Sequence, residues 1–251
     1  MNKFAMVTGA SKSIGREFAR QLSDEGYVVT AVARNEHRLA DLCKELGGVH
    51  RYNAADLSVR NELGRIQSDL NENHYNLLVN NAVFWIYKKF SKTMLSDIQN
   101  LTAVNFDALV ALTHSFLKNS RQGDALINVS STLAYLPIPS AGVYAATKAF
   151  VSLFTESLWH EQKKQGVFVM ALFPGITESK FHERAVGKPE NFSEGMLETP
   201  ENLVRKTLRV LKKRKGPIYI SGLQNRIFAG MSRILTRSAI VQMMGIANFG
   251  R

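Results

Sequence analysis

Short apolar runs rich in β-branched residues alternate along the chain with longer stretches in which apolar residues recur at helical spacing. The runs predict seven strands, at Phe4–Thr8, Tyr27–Ala33, Val49–Ala54, Asn76–Asn80, Asp124–Ser130, Val167–Phe173 and Pro217–Ser221. The stretches predict helices at Ile14–Glu25, Glu36–Leu46, Val59–Asn71, Leu95–Asn119, Val143–Gln165 and Glu201–Lys212. Such regular alternation implies a parallel sheet with helices on both faces, and right-handed crossovers then make the fold doubly wound.

We therefore expect a single α/β domain of the Rossmann type, with a seven-stranded parallel sheet and a helical C-terminal extension. The chain contains no internal repeat, low-complexity linker or break in composition that would mark a second domain. Two segments depart from the alternation, the loop from Thr177 to Thr199 and the tail after Gly222. Residues 1–222 are assigned to the domain and residues 223–251 to an amphipathic helical tail of that domain.

Composition and charge narrow the class of protein. The chain has 251 residues, of which 45% are hydrophobic, and this suffices for one domain with a full core. The lone Cys43 excludes an internal disulfide framework. The first strand begins too early to leave room for a signal peptide, and the apolar run Val167–Phe173 is too short to span a bilayer, so we expect a cytoplasmic protein. The net charge of +11 would attract phosphates, nucleic acid or an acidic membrane surface.

A glycine-bearing turn follows the first predicted strand and reads Thr8-Gly9-Ala10-Ser11-Lys12-Ser13-Ile14-Gly15-Arg16. At this position a Rossmann-type sheet receives a pyrophosphate, because the chain turns tightly and the free N–H groups at the start of the next helix face the anion. An ordinary turn with a serine helix cap is the alternative interpretation. The location directly after the first strand favours a dinucleotide site.

The end of the second predicted strand indicates which dinucleotide is bound. Sites for NAD usually carry an acidic residue there, which holds the ribose hydroxyls. This strand ends in Ala33-Arg34-Asn35, so the acid is missing, and the guanidinium of Arg34 offers a fork suited to a phosphate. Lys12 adds a second cation in the turn. Arg34 or Lys12 alone is explained equally well as a solvated surface charge. Together the two cations favour NADP(H).

Tyr144 and Lys148 are four residues apart at the start of a predicted helix and therefore share one helix face. A free tyrosine, with a pKa of about 10, is a poor base at neutral pH. A neighbouring ammonium favours the phenolate, so we expect Lys148 to lower the pKa of Tyr144 and to make the pair a proton donor and acceptor. A strand that ends in two hydroxyl groups, Ser130 and Ser131, lies upstream.

At these residues the sequence resembles the short-chain dehydrogenase/reductase family, and the resemblance extends to about Gly222. It rests on several motifs in the family's order: Thr8 to Gly15 for the phosphate turn, Asp56-Leu57 after strand three, Asn80-Asn81-Ala82 after strand four, Asn105 in a helix, Ser131 with Tyr144 and Lys148, and Pro174-Gly175 after strand six. The resemblance implies an NADP-preferring enzyme of the Tyr-x-x-x-Lys type. Such an enzyme transfers hydride between NADP(H) and a carbonyl or secondary alcohol.

Of the two adjacent serines, the family's usual spacing to the tyrosine selects Ser131, with Ser130 as the alternative. Adjacent side chains of a strand point to opposite faces, so only one of the two reaches the substrate. The resemblance implies four catalytic residues, namely Asn105 for a water that relays protons, Ser131 for the carbonyl oxygen, Tyr144 as proton donor and Lys148 beside it.

The resemblance also implies a set of residues that bind the cofactor. Asp56 and Leu57 would contact the adenine, Asn81 and Ala82 its ribose, and Thr177 the carboxamide. The complete expected set is Gly9, Ser11, Lys12, Ser13, Ile14, Arg34, Asp56, Leu57, Asn81, Ala82, Tyr144, Lys148, Pro174, Gly175, Ile176 and Thr177.

Two positions depart from the family's pattern. Ser13 replaces the middle glycine of the phosphate turn, where its side chain either crowds the cofactor or replaces a water near it. Val83 replaces the last glycine after strand four, where the chain passes close to the adenine. Both changes would weaken cofactor binding, but neither removes a catalytic group.

The remaining features concern partners. No cluster of residues has metal-ligand spacing, so we expect no metal. The run Lys212–Lys215 ends a predicted helix before Gly216 and lacks interleaved aromatic residues, so we expect no nucleic acid. The two longest predicted helices correspond to those through which family members pair, which predicts a homodimer or homotetramer. They carry the apolar residues Leu109, Leu112, Phe116, Phe150, Phe154 and Leu158.

The sequence thus predicts an NADP(H)-dependent reductase or dehydrogenase of a small hydrophobic carbonyl or alcohol substrate. Apolar residues near the expected pocket support this: Phe84, Trp85, Leu133, Tyr135, Leu136, Ile138 and Phe181. The alternatives are a catalytically weak NADP(H)-binding sensor or scaffold and a 3-oxoacyl carrier-protein reductase. In the tail, apolar residues recur near helical spacing from Arg226 to Phe249, and Arg226, Arg233 and Arg237 would share one face. Such a helix serves as a lid, as a subunit interface or as a peripheral membrane contact.

Overall fold

A computed structural model describes residues 2–177, 197–232 and 234–246 of the chain. Two residues singled out in the sequence, Phe181 and Arg233, lie outside the described residues, as does most of the 177–199 loop. Within the described residues, no helix combines the length and apolarity that crossing a bilayer requires.

The described residues form one sheet of seven parallel strands in the order β3-β2-β1-β4-β5-β6-β7. The strands are β1 Lys3–Thr8, β2 Tyr27–Ala33, β3 Arg51–Ala54, β4 Leu77–Asn80, β5 Ala125–Val129, β6 Phe168–Phe173 and β7 Ile218–Ile220. The order reverses between β1 and β4, where a doubly wound sheet opens a crevice at the carboxyl ends of its strands. The prediction of a Rossmann-type α/β fold with seven parallel strands is confirmed.

Burial on both faces of the sheet explains the apolar runs. Every residue of β4, β5 and β6 is buried. One cluster of buried side chains packs under α1 and α7, and a second, which includes Ile66, Leu112 and Phe116, packs on the opposite face. Strands enclosed on both sides are expected to be almost continuously hydrophobic rather than alternating.

The helices are α1 Ser13–Asp24, α2 Glu36–Leu46, α3 Arg60–Glu72, α4 Leu95–Thr102, α5 Leu109–Lys118, α6 Gly142–Gln162, α7 Pro200–Lys213, α8 Leu223–Met231 and α9 Arg237–Ile246. The single helix predicted from Leu95 to Asn119 is interrupted by a π-helical segment, Ala103–Ala108, between α4 and α5. The spacing of apolar residues does not reveal the one extra residue of a π turn, because buried apolar residues recur at helical spacing again in the helix that follows.

The amphipathic tail forms two helices rather than one continuous helix. Helix α8 ends at Met231 and α9 begins at Arg237, so Arg226 and Arg237 belong to different helices and the single arginine face predicted from the sequence is wrong. The hydroxyl of Thr236 accepts a hydrogen bond from Ala239 N at 3.4 Å and marks the start of α9. This break contains neither glycine nor proline.

Candidate active site

The turn after β1 is held close to the end of β4. Gly9 has a φ of +68°, which favours glycine. A Cβ on Gly15 would lie 2.3 Å from the carbonyl oxygen of Gly9, so the first turn of α1 passes directly against this carbonyl. The Asn81 amide donates to Thr8 O at 2.9 Å and to Gly9 O at 3.4 Å. Asn81 therefore holds the turn in shape through its side chain.

The N-terminus of α1 has the features of an anion site. Asn35 and Thr199 cap α2 and α7, respectively, with hydrogen bonds from their side chains. Lys12 occupies the same position before α1, but its side chain forms no capping hydrogen bond. Lys12 thus leaves the first N–H groups of α1 without a side-chain cap, and Gly9 and Gly15 let the turn pack closely against this end of the helix. These residues fit the pyrophosphate of a dinucleotide, as the sequence predicts.

Ser13 has a φ of +50°, in the left-handed region that favours glycine. The substitution that the sequence marks as a departure therefore keeps the backbone conformation of a glycine. Only the side chain differs, and it lies at the first position of α1.

Arg34 lies at the carboxyl edge of the sheet, directly after β2. Its Nη1 is 3.7 Å from Asp56 Oδ2, and its side chain is 65% exposed. Burial alone would raise the pKa of Asp56, but hydrogen bonds from Ser58 and the charge of Arg34 outweigh it and lower this pKa below its ordinary value. Ala10 N donates to Val32 O at 3.2 Å, so the turn that carries Lys12 runs beside the end of β2. The cations Lys12 and Arg34 therefore belong to adjoining segments.

Ser131, Tyr144 and Lys148 come together between β5 and α6. Ser131 lies two residues beyond the end of β5, and its hydroxyl forms a hydrogen bond with Tyr144. Lys148 Nζ donates to Val129 O at 2.8 Å and lies 5.7 Å from the centre of the Tyr144 ring. Tyr144 and Lys148 are 5% and 3% exposed. A half-buried hydroxyl thus meets a buried phenol and a buried amine.

Ser130 is placed differently from its neighbour. Its hydroxyl is buried and donates to the backbone carbonyl of Lys148 at 2.8 Å. Ser130 therefore fastens α6 to the sheet, whereas Ser131 faces the phenol of Tyr144. The geometry favours Ser131 as the serine that would contact a substrate.

The pKa values of the pair differ from the expectation that Lys148 lowers the pKa of Tyr144. Burial raises the pKa of Tyr144 well above its ordinary value, and the hydrogen bond from Ser131 opposes this only in part. Burial lowers the pKa of Lys148 to about 7. The expectation was wrong because spacing in a helix shows which groups are neighbours but not how deeply they are buried, and burial here exceeds the attraction. At neutral pH, Tyr144 is a protonated phenol.

Asn105 lies in the π-helical segment and is buried. Its Oδ1 accepts from Phe84 N at 2.8 Å, and its Nδ2 donates to Phe84 O at 2.9 Å and to Thr147 Oγ1 at 3.3 Å. The side chain thus connects the loop after β4 to α6. The neighbouring Trp85 stands edge-on to Tyr144, with ring centroids 4.1 Å apart. The Asn105 side chain therefore fixes the loop that carries Trp85, and its role in holding a water that relays protons stays a prediction.

The carboxyl end of β6 completes the site. Thr177 is buried, and its hydroxyl donates to Gly175 O at 3.2 Å. A Cβ on Gly175 would meet Asn225 Nδ2 at 2.1 Å, so the start of α8 packs directly on this segment. The other expected cofactor residues lie at the same edge: Ser11 and Ile14 at the turn, Leu57 after β3, Ala82 after β4, and Pro174 with Ile176 after β6.

Sequence reasoning missed a buried polar network below the site. Asn80 Nδ2 donates to Asn128 Oδ1 at 2.9 Å and to Thr113 Oγ1 at 3.0 Å, and Asn128 Nδ2 donates to Thr155 Oγ1 at 3.0 Å. The network joins β4, β5, α5 and α6, and all four side chains are buried. Polar residues in otherwise apolar strands were the available signal, since buried amides need partners.

Similar proteins identify the family of the chain. The family model for short chain dehydrogenase matches residues 3–189. Sulfoacetaldehyde reductase 2 of Chromohalobacter salexigens is 32% identical over 190 residues, covering 72% of this chain and 75% of that protein. The very-long-chain 3-oxoacyl-CoA reductase of Rattus norvegicus is 28% identical over 233 residues, covering 87% and 75%.

Solved structures share the fold. The short-chain dehydrogenase from Sphingobium yanoikuyae in complex with NADPH superposes with a TM-score of 0.80 at 24% identity, covering 94% of this chain and 97% of that chain. A structure of a 7β-hydroxysteroid dehydrogenase gives a TM-score of 0.85 at 23% identity, covering 97% and 96%. The chain belongs to the short-chain dehydrogenase family. It is an oxidoreductase that acts on carbonyl and alcohol groups, and the family binds a nicotinamide cofactor.

Proposed function

We propose that the protein is an NADP(H)-dependent reductase of a small hydrophobic ketone, with Tyr144 as the proton donor. The observation that carries this proposal is the buried phenol of Tyr144, hydrogen-bonded to Ser131 and covered by Trp85. Because burial raises its pKa, the phenol holds its proton at neutral pH, which is the state that reduction of a carbonyl requires.

The roles of the residues follow from their positions. The Ser131 hydroxyl binds the carbonyl oxygen and orients it toward Tyr144 Oη, which gives its proton to the forming alkoxide. Once Tyr144 has lost this proton, the phenolate favours the ammonium form of Lys148, whose pKa of about 7 allows it to take up a proton. Nicotinamide, when bound, supplies the hydride.

The preference for NADP(H) is supported by the cations near the end of β2. Arg34 is exposed and follows β2, where an acid would be needed for an NAD ribose, and Lys12 lies in the adjoining turn. Arg34 would exchange its long contact with Asp56 for a phosphate, which offers a closer and doubly hydrogen-bonded partner.

A hydrophobic substrate is supported by the walls of the site. Trp85 stacks on Tyr87 at a centroid distance of 6.3 Å, and Tyr135 stacks on Phe173 at 5.2 Å. Trp85 contacts Tyr144, and Tyr135 lies in the turn after Ser131, so aromatic side chains surround the proton donor and favour an apolar substrate. Relatives of the chain include reductases named for very-long-chain 3-oxoacyl-CoA. A 3-oxoacyl group carries its ketone on an apolar acyl chain.

Two measurements test this function. Fluorescence titration with NADPH and NADH establishes binding, and a panel of ketones establishes turnover. The panel contains bulky aromatic ketones, small polar ketones and 3-oxoacyl thioesters, free and on a carrier protein. We expect tighter binding of NADPH and turnover of the apolar ketones. Binding without turnover of any ketone would instead support a cofactor sensor, and turnover confined to carrier-bound thioesters would support a 3-oxoacyl carrier-protein reductase.

We also infer a homodimer or homotetramer that pairs through α5 and α6. Four of the six apolar residues that motivated this prediction, Leu109, Leu112, Phe116 and Leu158, are buried in the subunit's own core. The exposed apolar groups that remain are Phe106, which packs on Phe150 at 4.2 Å, and Leu153, which is 70% exposed. Sedimentation of the parent and of Leu153→Asp tests this, since a charge in the interface would dissociate the oligomer.

A further inference from the structure

The excess of basic over acidic residues is confined to the last fifth of the chain. Residues 202–251 contain 11 lysines and arginines and no acidic residue, which accounts for the whole net charge of +11. The first 201 residues are therefore neutral overall. Seven of these cations lie between Arg205 and Lys215, and the tail after Gly222 carries the other four, Arg226, Arg233, Arg237 and Arg251, so the tail is cationic and attracts an anionic partner.

The tail also exposes an unusual amount of apolar surface. Ile234 is 85% exposed, Ile246 is 82% and Leu223 is 72%. Further exposed apolar residues of the tail are Ile227, Phe228, Met231, Leu235, Val241 and Met243. In contrast, α8 and α9 bury only Ala229 and Ile240. The tail therefore rests on the domain through a few contacts and turns most of its apolar side chains outward.

A second segment, residues 88–95, has the same character. It reads Lys-Lys-Phe-Ser-Lys-Thr-Met-Leu, and its three lysines are exposed. Phe90 is 70% exposed, Met94 63% and Leu95 67%. Among the residues that the structure describes, no acidic side chain forms an ion pair with these lysines.

The two segments flank the same loop. Lys88 N donates to Ser140 O at 2.9 Å, which fixes residues 88–95 on one side of the loop that leads into α6. On the other side, a Cβ on Gly245 of α9 would lie 4.0 Å from Pro139 Cγ. Helix α8 packs against the turn Thr132–Tyr135, directly after Ser131. Both segments thus border the entrance to the site that contains Tyr144.

An apolar cavity opens between the first segment and this loop. It has a volume of about 320 Å³ and includes Ile86, Phe90, Ile98, Leu101, Ile138 and Val143 in its lining. Val143 directly precedes Tyr144 in α6. The cavity thus adjoins the exposed apolar residues of the 88–95 segment and the start of the helix that carries Tyr144.

We propose that residues 88–95 together with α8 and α9 form a docking face for an anionic lipid bilayer. On this face, apolar side chains enter the boundary between headgroups and acyl chains while lysines and arginines contact the lipid phosphates, as in other interfacial helices. In that orientation the entrance to the site faces the membrane.

Charge excludes a second copy of the chain as the preferred occupant. A symmetric dimer through this face would bring two acid-free cationic tails together, and like charges across an interface oppose association. An anionic surface instead attracts the cationic side chains of this face.

Vesicle flotation tests the docking face directly. The full chain is mixed with vesicles of phosphatidylcholine alone or of phosphatidylcholine with phosphatidylserine, at low salt and at about 1 M salt, where the Debye length is about 3 Å. We expect flotation with the anionic vesicles at low salt, a strong decrease at high salt, and little binding to the neutral vesicles.

Matched variants separate the docking face from net charge and from exposed apolar area in general. Replacing Lys88, Lys89 and Lys92 by glutamine should lower partitioning about a hundred-fold, since each lysine near an anionic surface contributes about five-fold. The charge control replaces Lys212, Lys213 and Lys215 by glutamine at the opposite edge of the sheet, where the helix before β7 ends. Ile234→Ser should also release the protein, whereas Val49→Ser, at a residue 67% exposed before β3, should not.

The outcomes are decisive. Absence of flotation with anionic vesicles overturns the proposal. The proposal is also overturned if the variant that replaces Lys212, Lys213 and Lys215 loses as much vesicle binding as the variant that replaces Lys88, Lys89 and Lys92. If the parent does not float but self-associates, and Ile234→Ser abolishes that association, the face belongs to a second copy. Flotation needs no cofactor and no turnover, so its failure and the failure of the proposed reductase activity are distinguishable.

Discussion

The indole of Trp85 stands at 75° to the ring of Tyr144, with the two ring centroids 4.1 Å apart. This edge-on contact covers the phenol on one side while Ser131 holds it by a hydrogen bond. The phenol of Tyr144 is therefore contacted both from the loop after β4 and from the segment after β5. The loop after β4, which supplies Trp85, thus contributes as much to the site as the helix that carries Tyr144.

The first prediction concerns proton transfer. Tyr144→Phe removes the hydroxyl but preserves the ring that packs against Trp85, so we expect turnover to fall about 10²–10⁴-fold. NADPH affinity should stay nearly unchanged, because the phosphate turn is intact. Parallel measurements of NADPH oxidation and NADPH binding check this. Tyr52→Phe on β3 is the matched control, and comparable activity in the two variants would contradict the assignment.

The second prediction concerns Asn105 as a positioning residue. Asn105→Leu leaves the buried N–H and C=O of Phe84 without their partner and should cost about 1–3 kcal/mol in the free energy of unfolding. Because the wall beside Tyr144 shifts, kcat should fall about ten- to a hundred-fold while the KM for NADPH changes little. Asn100→Leu, at an exposed position of α4, is the control. An unchanged kcat in the destabilised variant would leave Asn105 a purely structural role.

The third prediction concerns stability and pH. Lys148 has a pKa of about 7 in the folded protein and 10.5 as its ordinary value, so between these values the unfolded chain binds more protons than the folded one. The free energy of unfolding should therefore gain a contribution that rises from pH 7 toward pH 10, with a slope of up to about 1.4 kcal/mol per unit. Denaturant titrations of the parent and of Lys148→Met between pH 7 and pH 10 measure the contribution of Lys148 to the free energy of unfolding.

The control for this pH dependence is Lys164→Met, which removes an exposed lysine after α6. It should preserve the slope that Lys148→Met abolishes. Equal pH profiles for the parent and Lys148→Met would show that Lys148 keeps its ordinary pKa despite its burial.

The fourth prediction concerns the choice of cofactor. Arg34→Asp combined with Lys12→Ala removes both cations near the end of β2, so the preference for NADPH over NADH should fall about ten-fold or more for each lost contact. Dissociation constants for both cofactors measure this ratio. Arg38→Ala, in the first turn of α2, removes a charge from the same region and should leave the ratio unchanged. A parent enzyme that prefers NADH would contradict the prediction.

Much of the fold could be predicted because both faces of the sheet are covered. Strands such as β6 are apolar throughout, so their position is visible even where their ends differ by a residue or two. The π-helical segment could not be predicted, because apolar spacing does not reveal an extra residue in a turn, and the contact that Asn105 makes from this segment, with Phe84, is 21 residues away. The break between α8 and α9 is hidden for another reason, since apolar residues continue through it.

The same limit applies to the site. The order of Ser131, Tyr144 and Lys148 along the chain predicted which residues would meet, and the structure brings them together. It did not predict their pKa values, which depend on burial by residues far apart in sequence. The positive φ of Ser13 was equally inaccessible, because a serine does not show in the sequence that it occupies a conformation suited to glycine.

The π-helical segment Ala103–Ala108 has a consequence for how the protein can change. A π turn contains one residue more than an α turn, so deleting a single residue there would restore an uninterrupted α-helix with regular backbone hydrogen bonds. The shortened helix would rotate Asn105 away from Phe84 by about 100° of helix rotation, the angle one residue spans. The regular hydrogen bonds gained would be offset by the loss of the two bonds between Asn105 and the backbone of Phe84, so the irregular turn is retained for the contact it makes and not for the helix itself.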